Sequence, residues 1–571
     1  MKRNLLFMSV LASLFMAGCS QDDIALDEGA NGNGEANTSY LAVNLVSSDA
    51  TLSRAASGFE DGSTAENKVT KVRFYFFNGI GGAVNVKLQG TSKVNYYDWT
   101  PVAGDQSNDA SDKDDIESKL KATIVINTSK GDEIPQRIAA VLNPPTIDGE
   151  PLLPNSSLSL SVLKGKVADF ATTGENGLTS EGKFVMFNSV GGKGEEFSTT
   201  LIEAKNLCKS ESEALAAPVT IYVERSVAKV RVILDDGLGY SDNKLALTDK
   251  DGKALSIGGE QVYLKLEGWG LTAETSEGRL VKKVNSKWET EDPWYEDHRS
   301  FWAINSLSAT NVYHTYNHIS KAVGKNNALY TNENAQQSDV DGTAGKAEKH
   351  TKFMLKGTLC KENGEAFTIV RHLGVYFADD ANLTGLKGSI LNQLDASGKK
   401  YYYEFVESGE TKRAQIGVDD LKIVVVEPVE EEESKNNCYV CAQLTDAAAG
   451  KTWYRTPEEE DAIENAAEEI NGVLKFKKGE NVENDVDKAL VWNSGMTYYY
   501  SDIKHLNNNI GVVRNHIYDI NVTKIAGLGT PVYDPAEVIY PEKPEDNDHF
   551  IAAEIKILSW RVVENDYELN W

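Results

Sequence analysis

Apolar and polar residues alternate in short runs along most of this chain. From Tyr40 to Val46 the alternation places Leu41, Val43 and Leu45 on one side of an extended backbone. Successive side chains of a strand point to opposite faces, so such a run predicts a half-buried β-strand. Val69 to Phe77 repeats the pattern with Val72, Phe74 and Phe76 on one face, and shorter runs follow at Ala83 to Leu88, Thr123 to Asn127, Ile138 to Leu142 and Phe184 to Phe187. From Val219 to Val232 the alternation is unbroken and predicts one long strand. The second half has more loop and insertion, with strands expected at Val262 to Leu266, Lys352 to Leu359 and Lys422 to Val426. Helix signals are few. Leu158 to Phe170 has room for a short helix. Thr456-Pro457-Glu458-Glu459 predicts a capped one, with Ile463, Ala466, Ala467 and Ile470 on one face and Gly472 at its end. Strands at this spacing with a few short helices predict a mainly β protein of tandem β-sandwich domains. The expected domains are 55–236 and 237–540, with the boundary near Asp236. The polar stretch from Lys209 to Ala217, read as a loop, is the alternative joint.

The two ends carry a different kind of information. The last apolar run places Ala553, Ile555 and Ile557 on one side and Leu558, Trp560 and Val562 on the other. It reads as a single strand able to fill two apolar surfaces, and it follows a polar, proline-bearing tether. Residues 541–571 are therefore expected to be a tether and a terminal strand, which can dock on its own domain or cross to another molecule. At the other end, Lys2 and Arg3 precede an apolar run, Leu5 to Phe15, too short to span a bilayer. Met16-Ala17-Gly18-Cys19 resembles a bacterial lipobox, with Met16 in place of the usual leucine. Residues 1–18 are thus expected to be a signal peptide and Cys19 to carry a diacylglycerol that holds the precursor to the outer membrane. Ser20-Gln21-Asp22-Asp23 is similar to the surface-export tag of Bacteroidetes lipoproteins. Arg54 is the only basic residue between Arg3 and Lys68 and lies in a run of small polar residues, an inviting site for an arginine-specific protease. A cut between Arg54 and Ala55 would remove residues 19–54, a propeptide that includes the first strand.

The chain of 571 residues carries 86 acidic and 58 basic side chains, a net charge of −28. Such a surface repels phosphate backbones, so no nucleic-acid partner is expected. Catalytic and metal signatures are weak. Cys208 and Cys360 stand alone, and Cys438 and Cys441 have no second pair; on a strand their sulfurs would face opposite ways. His314 and His318 stand four apart without the glutamate of a zinc-protease helix, and a surface or packing role is expected for them. Asp249-Lys250-Asp251-Gly252 and Asp339-Val340-Asp341-Gly342 read as turns rather than calcium loops. The acidic run from Glu430 to Glu433 reads as solvated. The expectation is a non-enzyme with no cofactor.

A family resemblance sharpens this picture. Val223-Glu224-Arg225-Ser226-Val227-Ala228-Lys229-Val230 resembles the signature strand of the fimbrillins, the type V pilus subunits of Bacteroidales. Arg299-Ser300-Phe301-Trp302, Tyr330-Thr331-Asn332-Glu333-Asn334, Val513-Arg514-Asn515-His516-Ile517-Tyr518 and Ser559-Trp560-Arg561-Val562-Val563 are similar to further stretches of that family, in the same order. The resemblance implies two tandem transthyretin-like β-sandwich domains and assembly by donor-strand exchange. In that scheme Leu41, Val43 and Leu45 belong to a strand displaced after cleavage at Arg54. Ile555, Ile557, Trp560 and Val562 belong to the donor strand that enters the vacated slot of an identical subunit, head to tail. Fimbrial anchor and tip subunits are the other implied partners, with a host or bacterial surface ligand of unstated identity. The expected role is the major shaft subunit of an adhesive filament. The alternatives are an anchor or tip subunit of the same pilus, or a surface glycan-binding lipoprotein using Trp288, Trp294 and Tyr295.

Overall fold

A computed structural model describes residues 37–48, 62–88, 92–103, 106–107, 116–128, 131–174, 177–189, 198–283, 304–306, 308–334, 350–425, 439–474, 489–505, 510–541, 549–559 and 562–565. The chain is mainly β. Its first part forms an 11-stranded sheet folded around one apolar core. The principal strands are β1 (Asn37–Ser48), β2 (Val72–Phe77), β3 (Ile116–Thr128), β4 (Arg137–Leu142), β5 (Met186–Asn188) and β6 (Val219–Arg225). They run in the order β3-β1-β6-β5-β4-β2. Every residue of β2 is buried, so both of its faces are covered, where the alternation had marked only Val72, Phe74 and Phe76 as inward. Arg73, on the opposite face, sustains that burial by pairing with Asp98 at 2.6 Å and donating to the carbonyls of Leu153 and Pro154.

The run from Val219 to Val232 is two strands in two sheets. β6 ends at Arg225, and β7 (Val227–Leu234) begins a second sandwich after Ser226. The joint therefore lies at Ser226, earlier than the Asp236 boundary read from the sequence. The stretch 209–217, read as a loop, holds a helix. Two short helices are relevant here: α1 (Thr64–Asn67) and α2 (Glu211–Ala216). Both are closed by capping boxes, Ser63 with Glu66 and Ser210 with Glu213.

The second sandwich pairs two five-stranded sheets. One contains β8 (Tyr263–Thr272), β10 (Lys352–Cys360) and β11 (Met496–Asp502); the other has the order β9 (Leu329–Asn332), β7, β12 (His516–Gly527), β13 (His549–Ser559), β14 (Val562–Asn565). Between β10 and β11 the chain leaves the sandwich and builds a third apolar core, around Val370, Leu386, Trp453, Ile470 and Val491. This inserted module has its own five-stranded sheet and a helix, α3 (Thr384–Ala396). Asp379 starts that helix from outside, its two carboxylate oxygens accepting from the amides of Gly385 and Leu386 at 2.8 Å each.

The helix predicted from Thr456 begins later, as α4 (Ala466–Leu474), and Gly472 lies inside it. The Glu459 carboxylate does accept from the Arg455 and Thr456 amides, at 3.0 and 3.2 Å. However, Arg413 binds the carbonyls of Thr456, Pro457 and Glu459 and keeps them out of a helical ladder. Among the described residues no helix is long and apolar enough to cross a membrane.

Candidate functional site: the first-strand slot and the joint beneath it

β1 is an interior strand. Along its whole length it pairs antiparallel with β3, from Asn37 opposite Thr128 to Ser48 opposite Ile116. On its other side the second half runs parallel to β6, from Val43 opposite Val219 to Ser47 opposite Val223. The first half is closed there by Cys208, whose backbone exchanges two hydrogen bonds with Tyr40, at 2.8 and 3.0 Å. Leu41, Val43 and Leu45 are 0, 1 and 0% exposed and form part of the first core. Burying three such side chains stabilises the domain by roughly 5–9 kcal/mol. Removing β1 would leave two strand edges unpaired and an apolar slot between them. Cys19, Arg54 and Ala55 lie outside the described residues.

The terminal strand is docked on its own domain, the first of the two fates open to it. β13 pairs antiparallel with β12 over eleven residues, with Ile555 opposite Ile520 and Ile557 opposite Tyr518. The segment is a hairpin rather than one strand: Val562 turns back to pair with Leu558. Trp560 lies outside the described residues, as do Arg299 to Ala303, Trp288, Trp294, Tyr295, Cys438, the 430–433 run and the 339–342 turn. Asp249 accepts from the Asp251 and Lys253 amides as its turn reading requires. Cys208 and Cys360 are free thiols. Among the described residues no group of three or more His, Cys, Asp or Glu side chains could hold a metal ion.

Three stretches distant in sequence, 223–230, 330–334 and 513–518, meet around Ser226. Arg514 and Glu333 form a buried ion pair at 3.1 Å, and Arg514 also donates to the carbonyl of Leu280. Lys282 pairs with Glu224 at 3.2 Å, and Arg231 with Asp519, Nη2 to Oδ2, at 2.7 Å; all four are nearly inaccessible. Burial pushes the Glu224 carboxyl upward against the pull of Lys282. α1 enters the same cluster. Glu66 accepts from Lys229 at 3.2 Å and from the Tyr330 hydroxyl at 2.8 Å, while Arg225 donates to the Glu66 carbonyl at 3.2 Å and to the Asn67 side chain. Burial alone would raise the Glu66 carboxyl, but Lys229, Arg225 and the Ser63 amide outweigh it and lower it to about 2. Asn332 adds a bridge across the joint, accepting from the Phe170 amide at 2.9 Å and donating to Asp169 at 2.8 Å. Lys282 and Asp519 carry no motif of their own, and Glu66 only the capping box it forms with Ser63. The trace of Lys282 and Asp519 in the sequence is a charge inside or beside a strand.

Residues 491–566 match the family described as "Major fimbrial subunit protein type IV, Fimbrillin, C-terminal". That span contains the Val513 to Tyr518 motif and the terminal hairpin. No curated protein matches the chain. Among solved structures, a candidate cell adhesion protein from Bacteroides eggerthii is 11% identical, with 94% of this chain and 100% of that one covered and a TM-score of 0.39. The tip fimbrial protein Mfa3 from Porphyromonas gingivalis, truncated at its C-terminus, is 11% identical over 92% of this chain and 100% of its own, with a TM-score of 0.28. The fimbrial anchor protein Mfa2 from the same organism is 10% identical over 92% and 99%, with a TM-score of 0.24.

Proposed function

We infer that this chain, a fimbrial subunit by the fimbrillin C-terminal region it carries at residues 491–566, is the shaft subunit of a type V fimbria. It reaches the cell surface as a lipoprotein precursor held by Cys19. An arginine-specific protease cuts after Arg54, and β1 leaves the first domain. The terminal segment of a neighbouring copy then fills the slot by adding a strand between β3 and β6, with Ile555 and Ile557 as its apolar side chains. Each copy donates and receives at different surfaces, so the contact propagates as a filament rather than closing into a ring.

One observation supports this reading above the others. β1 is an interior strand that supplies Leu41, Val43 and Leu45 to the core, yet it lies wholly on the N-terminal side of the Arg54 cut. A strand placed there solely for stability would be lost at the first proteolytic nick. N-terminal sequencing of surface fibres is the test. Ala55 as the first residue supports processing and the shaft role. Fibres whose subunits begin at lipidated Cys19 would assign the chain to the anchor instead.

A further inference from the structure

His314 precedes and His318 ends a 3-10 turn, Tyr316–His318, and their rings stack face to face at 4.1 Å with an 8° interplanar angle. The turn grips the chain that leads into the terminal tether. The Ile539 amide donates to the His314 carbonyl at 2.9 Å, Thr315 bridges Val538, and the Asn317 amide donates to the Pro535 carbonyl at 3.3 Å. The Tyr313 and Tyr540 rings touch at 4.8 Å. Residue 541 then begins the tether to β13. The two imidazoles thus stack on each other within the turn whose backbone holds the root of the segment proposed to move.

The charged groups around the pair come from three directions. From the strand before the turn, Glu274 meets His314 Nε2 at 3.1 Å. From β10, Lys356 lies over the Tyr316 ring at 4.3 Å and reaches Glu267 at 3.8 Å. The gripped segment itself carries Asp534 and Glu537, whose carboxyl is raised by burial and by Asp534. Glu274 gives the His314 ring a carboxylate partner. A cation on His318 would face the His314 ring across 4.1 Å without a carboxylate of its own among these contacts. Burial and the His314 charge accordingly lower His318 below the usual histidine value, with Glu274 opposing.

We propose that the His314–His318 stack is an acid-sensitive latch on the root of the C-terminal strand, closed while at most one ring is protonated and opened when both are. Its consequence for assembly rests on the strand-exchange reading; the latch itself does not. The sign follows from the lowered group: the opened turn binds the second proton more readily than the closed one. Grip on residues 535–540 is therefore full near neutrality and falls as pH drops below the ordinary histidine range.

The Ile539 amide is the reporter, read by hydrogen exchange on the full chain between pH 7.5 and 5 after correction for intrinsic exchange chemistry. Protection in the wild type should fall by up to ~10-fold per pH unit once the second proton binds. His318→Phe keeps a stacking ring but cannot be protonated, and should flatten that dependence. Equal losses in the wild type and H318F would overturn the latch. If H318F does not fold, the His318 ring-proton titration in the wild type decides: a midpoint at or above that of a free histidine overturns the proposal, and one below it supports it. Should the chain fail to polymerise at all, the exchange result stands on its own.

Discussion

A core substitution in β1 should weaken the precursor and leave the fibre untouched. Leu45 is 0% exposed, opposite Leu120 on β3 and Ile221 on β6, both buried. Truncating a leucine in such a site costs ~2–5 kcal/mol, towards the upper end where paired strands on both sides prevent collapse. For Leu45→Ala, with a urea m-value of about 3 kcal/mol/M, the first transition of the uncleaved chain should move down by roughly 1–1.5 M. In a fibre made from the same precursor, Leu45 would have left with residues 19–54. Its urea midpoint should match that of wild-type fibres. Leu120→Ala is the control: β3 lines the slot whether its own or a neighbour's strand fills it, so this change should weaken precursor and fibre alike. The assay is intrinsic fluorescence against urea on purified precursor and on sheared fibres. If Leu45→Ala fibres are weakened as much as their precursor, β1 is still in place after assembly and the exchange reasoning fails.

The joint makes two further predictions. Glu66 sits at about 2 in the folded chain against 4.5 when free, so its contribution is complete above pH 4.5 and lost as pH falls towards 2. That contribution is on the order of 3 kcal/mol, and Glu66→Gln should remove the corresponding drop in urea midpoint between pH 5 and 2.5. Arg514→Ala would strand the buried Glu333 carboxylate and should cost ~3–5 kcal/mol, read as a lowered thermal midpoint. Deleting residues 549–571 should leave folded monomers cleaved at Arg54 that form no long fibres by electron microscopy; abundant pili from that variant would refute the donor role.

The sequence was most legible where one face of a strand is wet, and least where both are covered. β1 and β10 lie where alternation placed them, because their polar positions differ visibly from their core positions. The run from Val219 to Val232 alternates equally well, yet its polar positions are not solvent-facing. Glu224, Arg225, Lys229 and Arg231 are all buried against partners far away in the chain. Nothing local distinguishes a charge facing water from one facing Glu66 or Asp519, so the sheet change at Ser226 was invisible. The inserted module was hidden for a related reason: its strand Thr368–His372 pairs with Ala489–Trp492, more than a hundred residues on. The helix in 209–217 is a different case. Ser210 and Glu213 do spell a capping box, and the signal was readable but masked by the small, polar composition around it.

The slot and the joint share one strand, and this bears on how a domain could survive losing β1. Val219 to Val223 of β6 border β1; the next two residues, Glu224 and Arg225, are locked into the buried charges of the joint. If β1 departs, β6 would lose pairing on one edge along part of its length. It keeps β5 on its other edge, through Met186, Phe187 and Asn188, and it keeps the joint at its end. β3, the opposite wall, has no such anchor in the joint and pairs with β1 along almost its full length. Loosening after cleavage should therefore concentrate on β3, whose central amides would gain exchange in a cleaved monomer while those of Glu224 and Arg225 stay protected. A wall fixed by charge on one side and free to adjust on the other can hold its shape for an incoming strand without first refolding.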